Sequence, residues 1–382
     1  MSNKFSLKQI VPVFLSFYIM GFVDLVGVAT GYIKQDFNLS DSMAQLLPSM
    51  VFIWFALISI PTGIFQDRMG KRKTAVISMI ITGIGLIIPF IHYSYTTVII
   101  AFIILGIGNT ILQVSANPLL IDISSKESKA ANLSLSQFIK AIASMLGPIL
   151  IVAIARYTGN WKIIFPLYAI LSVSGALWLY SVKIEESKPD KEPATLKTVL
   201  ALFKVKYIVV MLLSVFFMVG FDVAINTNIA NFLSTRFAIN LETASMGISI
   251  YFAALMVGRF SGAFLLRRLN ITKFLTFSTM LTLIGLAGII AFNNLTLAWI
   301  MIFVTGIGFS NIFPIIFTIA IEKRPEYANE ISGMIILAVC GGAVIPPIMG
   351  VISDSFGVTQ SLFVLVACIL YVSYSAFYAS KN

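Results

Sequence analysis

The sequence predicts an all-α membrane protein of twelve transmembrane helices, arranged as two six-helix parallel repeats. Three observations predict it: apolar runs of membrane-spanning length, a one-sided distribution of basic residues between them, and sequence echoes about 200 residues apart. The chain of 382 residues is 58% hydrophobic and 11% charged, with mean hydropathy +0.96. Soluble domains carry about 25% charged residues, so that class is excluded. Membrane β-strands alternate apolar and polar residues. These runs are continuous, and a segment in lipid must satisfy its own backbone groups, so they are helices.

The spans fall near 8–33, 43–66, 74–92, 95–121, 131–155, 161–182, 206–236, 242–266, 273–292, 296–320, 328–352 and 358–378. No small-residue cleavage site follows Met1-Ser-Asn-Lys4, so no removable signal peptide is expected. With both termini in the cytoplasm, the inward segments carry 20 of the 26 Lys and Arg, against 4 outside: Lys34, Arg156, Lys162 and Arg236. Such a bias sets orientation. The net charge of +10 is therefore topology rather than a nucleic-acid footprint. The expected location is a bacterial plasma (inner) membrane, with the lipid bilayer as surroundings and the chain a monomer.

The polar stretch from Lys183 to Lys206, with mixed charge and two prolines, reads as a linker. It separates an N-terminal six-helix bundle (1–182) from a C-terminal one (206–382), with 183–205 as the cytoplasmic connection. Gly21-Phe22-Val23-Asp24 returns as Gly220-Phe221-Asp222, and Asp36 to Ser40 as Phe237 to Leu241. Gly63 returns as Gly262 before Leu266-Arg267-Arg268, Leu105 to Gly108 as Thr305 to Gly308, and Ala131-Asn132 as Ala328-Asn329. Five echoes in one order at nearly one offset indicate a duplicated six-helix unit.

Between spans 2 and 3 lies Gly63-Ile-Phe-Gln-Asp67-Arg68-Met-Gly70-Lys71-Arg72-Lys73, a basic turn holding one acid and two glycines. It resembles the signature loop of the major facilitator superfamily. That resemblance implies a substrate site between the repeats near the midplane, reached by alternating access. It also implies that Gly63, Asp67, Arg68, Gly70, Arg72 and the basic cluster gate the cycle through contacts between the halves. Span 4 carries Ile111-Leu-Gln113-Val-Ser-Ala-Asn117-Pro118. This is similar to a motif of the fucose permease and glucose/galactose sugar:proton symporter family, as are Asn132 to Gln137, Val257 to Gly262 and Gly341 to Asp354. Gln113 stands where the proton-linked fucose transporters have Glu, Asp24 lies one turn from the family's acid, and Lys140 stands where Asn is usual. Sugar binding thus carries over to Gln113 and Asn117 more readily than proton coupling does.

Ionisable groups at midmembrane cost about 2.5–3.5 kcal/mol and need a partner or an aqueous cavity. Asp24 in span 1 and Lys140 in span 5 are candidates for a proton-coupling pair, with a permanent packing ion pair as the alternative. Asp222 is the equivalent acid of span 7. Asn226, Asn228 and Asn231 give span 7 two polar faces, which suggests a broken or cavity-lining helix. With Asn311 and Gln137 they join the substrate-binding candidates, because an amide both donates to and accepts from a sugar hydroxyl. Trp54, Tyr251 and Phe313 are candidate stacking surfaces. Arg259 in span 8 is assigned to the inner gate or to snorkelling.

The chain has no phosphate-binding Gly-x-x-x-x-Gly-Lys-Ser/Thr, and Cys340 and Cys368 form no metal or disulfide framework. The expectation is a secondary transporter, not an enzyme. It uses no cofactor or metal and imports a small sugar or sugar derivative with protons. The alternative is an exporter or antiporter of drugs or organic anions, for which Leu146-Gly147-Pro148 gives a weak motif fragment.

Overall fold

A computed structural model of the chain describes residues 7–124, 129–184, 186, 200–265, 269–324 and 327–381. The side chains of 7, 8, 64, 67, 129–131, 133, 134, 263, 264, 328–330 and 332 are outside the description. Most of the 183–205 segment, Leu266-Arg267-Arg268 and the Asp67 side chain therefore lie outside the described residues. Among those described, all regular structure is helical.

Among the described residues, twelve helices are long and apolar enough to cross a membrane: Gln9–Asp36, Asp41–Gly63, Lys71–Ile91, Tyr95–Asp122, Leu135–Thr158, Trp161–Ser181, Lys206–Phe237, Leu241–Gly262, Ile271–Ala291, Leu295–Lys323, Gly333–Phe356 and Val358–Lys381. They are spans 1 to 12 below. Span 7 is one continuous helix, which corrects the broken segment suggested by its asparagines. Those side chains are buried or bonded to neighbouring helices, so the backbone has no reason to open. The interruptions lie elsewhere. Span 1 passes through a 3-10 turn at Gly21–Asp24, span 10 breaks at Ser310-Asn311, and span 11 breaks between Ala338 and Gly341. Pro314 follows the span 10 break in the first turn of the new helix, where a missing N–H costs nothing.

The duplication is visible in local chemistry. Ser40 caps span 2 by accepting from Met43 N, and Asn240 caps span 8 by accepting from Thr243 N. Ser94 caps span 4 in a capping box with Thr97, and Asn294 caps span 10 by accepting from Leu297 N. A Cβ built on Gly108 would come within 2.9 Å of the Ser78 carbonyl, and one on Gly308 within 2.9 Å of that of Ser278. Glycine therefore lets span 4 close on span 3 and span 10 close on span 9 in the same register, the means by which small residues drive helix packing in lipid. The only described non-glycine residues with positive φ, Asn38 (50°) and Ala238 (52°), end spans 1 and 7.

By their contacts the residues form two compact units, Met1–Leu25 with Leu57–Pro193 and Val26–Ala56 with Ala194–Asn382. The second unit thus takes in the end of span 1 and the beginning of span 2.

Candidate functional site

In the first unit, the 3-10 turn of span 1 is the centre of a polar cluster. Asn109, buried in span 4, donates from Nδ2 to the Met20 carbonyl at 2.8 Å. Gln113, one turn on, donates from Nε2 to Asn109 Oδ1 at 2.8 Å, and Asn117 Nδ2 reaches the Gln113 carbonyl at 3.0 Å. The i, i+4, i+8 spacing lays three amides along one face of span 4. Gln113 and Asn117 are only half-buried, which leaves amide positions to offer a ligand.

Ser144 Oγ in span 5 donates to Asp24 Oδ2 at 2.5 Å and to the Lys140 carbonyl at 3.1 Å. A Cβ built on Gly21 would lie 2.7 Å from that same carbonyl. Glycine thus allows spans 1 and 5 to cross where Asp24 and Lys140 sit, both half-buried. Phe22 stacks on buried Tyr168 with centroids 4.0 Å apart, and Tyr18 meets Phe22 edge-on at 5.7 Å. Gln137 is half-buried, one turn before Lys140.

In the second unit, Tyr251 Oη donates to Asp222 Oδ1 at 2.7 Å. Tyr251 is fully buried, so it works as a hydrogen-bond donor rather than a free stacking face. Asn226 is buried over Gly27, whose missing side chain makes its room. Asn228 is fully buried: its Oδ1 accepts from Gln45 Nε2 at 3.0 Å and its Nδ2 donates to the Ala224 carbonyl at 2.9 Å. Thr227 Oγ1 donates to Gln45 Oε1 at 2.9 Å and closes that ring. Asn311, at the span 10 break, donates to the Gly258 carbonyl at 2.8 Å and to Ser310 Oγ at 2.9 Å. Half-buried Trp54 has a buried indole N–H with no partner among the described residues. A buried donor of that kind is costly unless something satisfies it.

Asn231 belongs to a separate network at the end of span 7. It accepts from Lys34 Nζ at 3.0 Å and donates to Asp41 Oδ1 at 3.1 Å. Asp41 also pairs with Lys34 and accepts from Ser353. Asp354 accepts from the backbone N–H of Asp41 at 2.7 Å and of Ser42 at 2.9 Å, and from the Ser42 hydroxyl. A carboxylate from span 11 thus caps span 2, where free N–H groups and the helix dipole favour negative charge.

The basic turn is organised in a related way. Gly70 has φ +91° and no side chain with which to cap span 3. Glu186 supplies the cap, accepting from Lys71 N at 2.5 Å and Arg72 N at 3.2 Å. Lys71 Nζ pairs with Asp122 at 2.6 Å, and the Arg72 guanidinium donates to the carbonyls of Tyr180 and Val182 at the end of span 6. These described contacts all stay inside the first unit. Arg68 is exposed and Gly63 faces open space; Arg259 is half-buried without an ion pair among the described residues.

The Major Facilitator Superfamily profile matches residues 13–347. The chain belongs to the Major Facilitator Superfamily. A Helicobacter pylori (strain J99) protein proposed to be a glucose/galactose transporter is 30% identical over 410 residues, covering 100% of this chain and 97% of that one. A glucose/galactose transporter of Brucella abortus is 26% identical, covering 96% and 93%. The crystal structure of the Escherichia coli fucose:proton symporter superposes with a TM-score of 0.72 at 16% identity, over 98% of each chain, and shares the fold.

This superfamily member has site residues that the sequence reading missed. Asn109 and Ser144 tie the Asp24 turn to spans 4 and 5, and Gln45 and Thr227 hold Asn228. Asn109 had a signal, its four-residue spacing from Gln113. Ser144 and Gln45 had none, because their partners are more than 100 residues away.

Proposed function

We propose that this protein imports a small neutral sugar of the hexose class together with protons. The observation that carries the reading is the amide ladder Asn109, Gln113, Asn117 beside the interrupted turn bearing Asp24. Amides suit hydroxyls, which both donate and accept, and a carboxylate near them supplies a group that can take up and lose a proton. The names of the glucose/galactose relatives support the substrate class, and kinship of fold with the fucose:proton symporter supports the coupling ion.

In this reading Asp24 and Lys140 form the coupling pair and Asp222, which accepts from Tyr251, is a second acid. Gln113, Asn117, Gln137, Asn226 and Asn311 bind substrate with Trp54, whereas Asn228 and Asn231 hold helices together. Gly63, Asp67, Arg68, Gly70, Arg72 and Arg259 serve the inner gate. The chain works as a monomer in a bacterial inner membrane, as two bundles (1–182 and 206–382) with cytoplasmic termini. It catalyses no covalent chemistry and binds no nucleic acid.

Uptake by purified protein in liposomes tests this. With an imposed pH gradient, alkaline inside, D-glucose and D-galactose should accumulate above equilibrium. Failure to move either hexose, with exchange of organic anions or cationic drugs instead, would replace the reading with the exporter or antiporter alternative.

A further inference from the structure

Beside the Lys34–Asp41 pair lies a cavity of about 350 Å³, lined by Gly31, Lys34, Gln35, Asn38, Asn231 and Ser234, with Leu39 and Leu241 as apolar walls. The charge bias places it on the outer face. Its volume is within the range of about 300–1,000 Å³ typical of small-molecule sites. Gln35 and Asn38 are exposed, and their side-chain amides have no hydrogen-bond partner among the described residues. The turn that presents Asn38 is fixed: Phe37 N donates to the Ile33 carbonyl at 3.1 Å, Leu39 N to that of Lys34 at 3.0 Å, and Asn38 has φ 50°. Lys34 and Asn231, also lining the cavity, are held by each other and by Asp41.

We propose that this cavity is an outer recognition subsite for a small neutral polyhydroxylated ligand, whose occupant competes with Asp41 for Lys34 Nζ and Asn231. The proposal rests on the sugar-import reading above and adds a second site to it. The Lys34 charge is already countered by Asp41, with Asp354 close behind, so the site has no excess positive charge to select an anion. Its free groups are amides, which match hydroxyls in both directions. A hydroxyl accepting from Lys34 or bonding Asn231 takes a partner from Asp41. Asp41 is one of the residues that join span 2 to spans 7 and 11, so occupancy loosens that end of the junction. The subsite therefore acts on substrate arriving from outside and is idle for substrate arriving from inside.

The experiment uses the full chain in right-side-out and inside-out vesicles with D-glucose and D-galactose as probes. The variant Asn38→Gly keeps the left-handed turn and removes the amide; Gln35→Ala removes the other. Losing such hydrogen bonds should raise KM for uptake through the outer face by about 3- to 10-fold, with KM through the inner face unchanged. As a second readout, Gln35→Cys should react with an impermeant thiol reagent, and either hexose should slow the reaction. Equal KM changes from both sides, no change from either, or labelling indifferent to both hexoses would overturn the subsite. Wild-type vesicles that move neither hexose would instead overturn the sugar reading itself.

Discussion

Asp24 and Gln113 give the sharpest tests at the scale of single residues, because they have different partners, Ser144 for the one and Asn109 for the other. Asp24 accepts from Ser144, and an asparagine oxygen still accepts from that hydroxyl, though more weakly, so Asp24→Asn keeps the crossing of spans 1 and 5 while removing the titratable proton. Accumulation driven by a pH gradient should be lost while hexose counterflow persists. If Asp24→Asn still concentrates hexose, the coupling role passes to Asp222. Gln113→Leu leaves Asn109 Oδ1 without its donor and removes an amide from the ladder. The first costs stability; the second removes hydrogen bonds to the ligand worth about 1.5 kcal/mol, so hexose affinity should fall by about tenfold in equilibrium binding. Asn109 and Gln45 did not stand out in the sequence, but Asp24, Asp222, Lys140, Gln113 and Asn117 do, as polar residues in apolar runs. Their partners were not legible. Nothing in the spacing of Asn228 says that Gln45 will fill it, whereas the i, i+4 relation of Asn109 to Gln113 is local and was there to be read.

At the scale of elements, the two repeats solve the same turns with different residues. Span 1 ends with Asn38 in the left-handed region and span 7 with Ala238 in the same conformation. Asparagine tolerates it, whereas alanine pays about 1 kcal/mol for its Cβ. Ala238→Asn should stabilise the protein by about 0.5–1 kcal/mol, a rise of roughly 1–3 °C in melting temperature in detergent; an unchanged or lower value would show that the turn is unstrained. The opposite case is span 3. Asn270 caps span 9 by accepting from Thr272 and Lys273, but Gly70 cannot cap span 3, and Glu186 does so from beyond span 6. Losing a cap costs about 0.5–2 kcal/mol. Glu186→Ala should lower the melting temperature measurably and Glu186→Gln by less, since an amide oxygen still accepts. Span existence and number were readable from hydropathy alone. The breaks in spans 1, 10 and 11 were not, because they follow from where neighbouring helices press, as Gly341 does against the Phe216 carbonyl.

For the whole molecule, orientation and the junction at Asp41 make one linked prediction. In the orientation proposed from the loop charges, Asn38 is outside and Lys204 inside. The native thiols interfere little with labelling: Cys368 is buried and Cys340 is half-buried. In intact cells a cysteine at Asn38 should react with an impermeant reagent, whereas one at Lys204 should react only after permeabilisation. The junction adds a conformational readout. Ser42 lies under Asp354, whose two oxygens hold the start of span 2 against span 11 within the second unit. In the proposed alternating-access cycle, opening the outer face breaks those bonds, which are among the contacts that hold the start of span 2 in that unit. Asp354→Asn lowers the charge at the helix N-terminus and replaces one acceptor oxygen with a donor, which weakens the cap by about 1 kcal/mol or more. That energy corresponds to about a fivefold shift in a two-state equilibrium. A cysteine replacing Ser49, which donates to the Ala343 carbonyl deeper in the same junction, should therefore label several-fold faster from outside in the Asp354→Asn background. Labelling at an unchanged rate, with the cysteine replacing Asn38 still reactive, would leave the orientation standing and show that Asp354 does not hold the outer face closed.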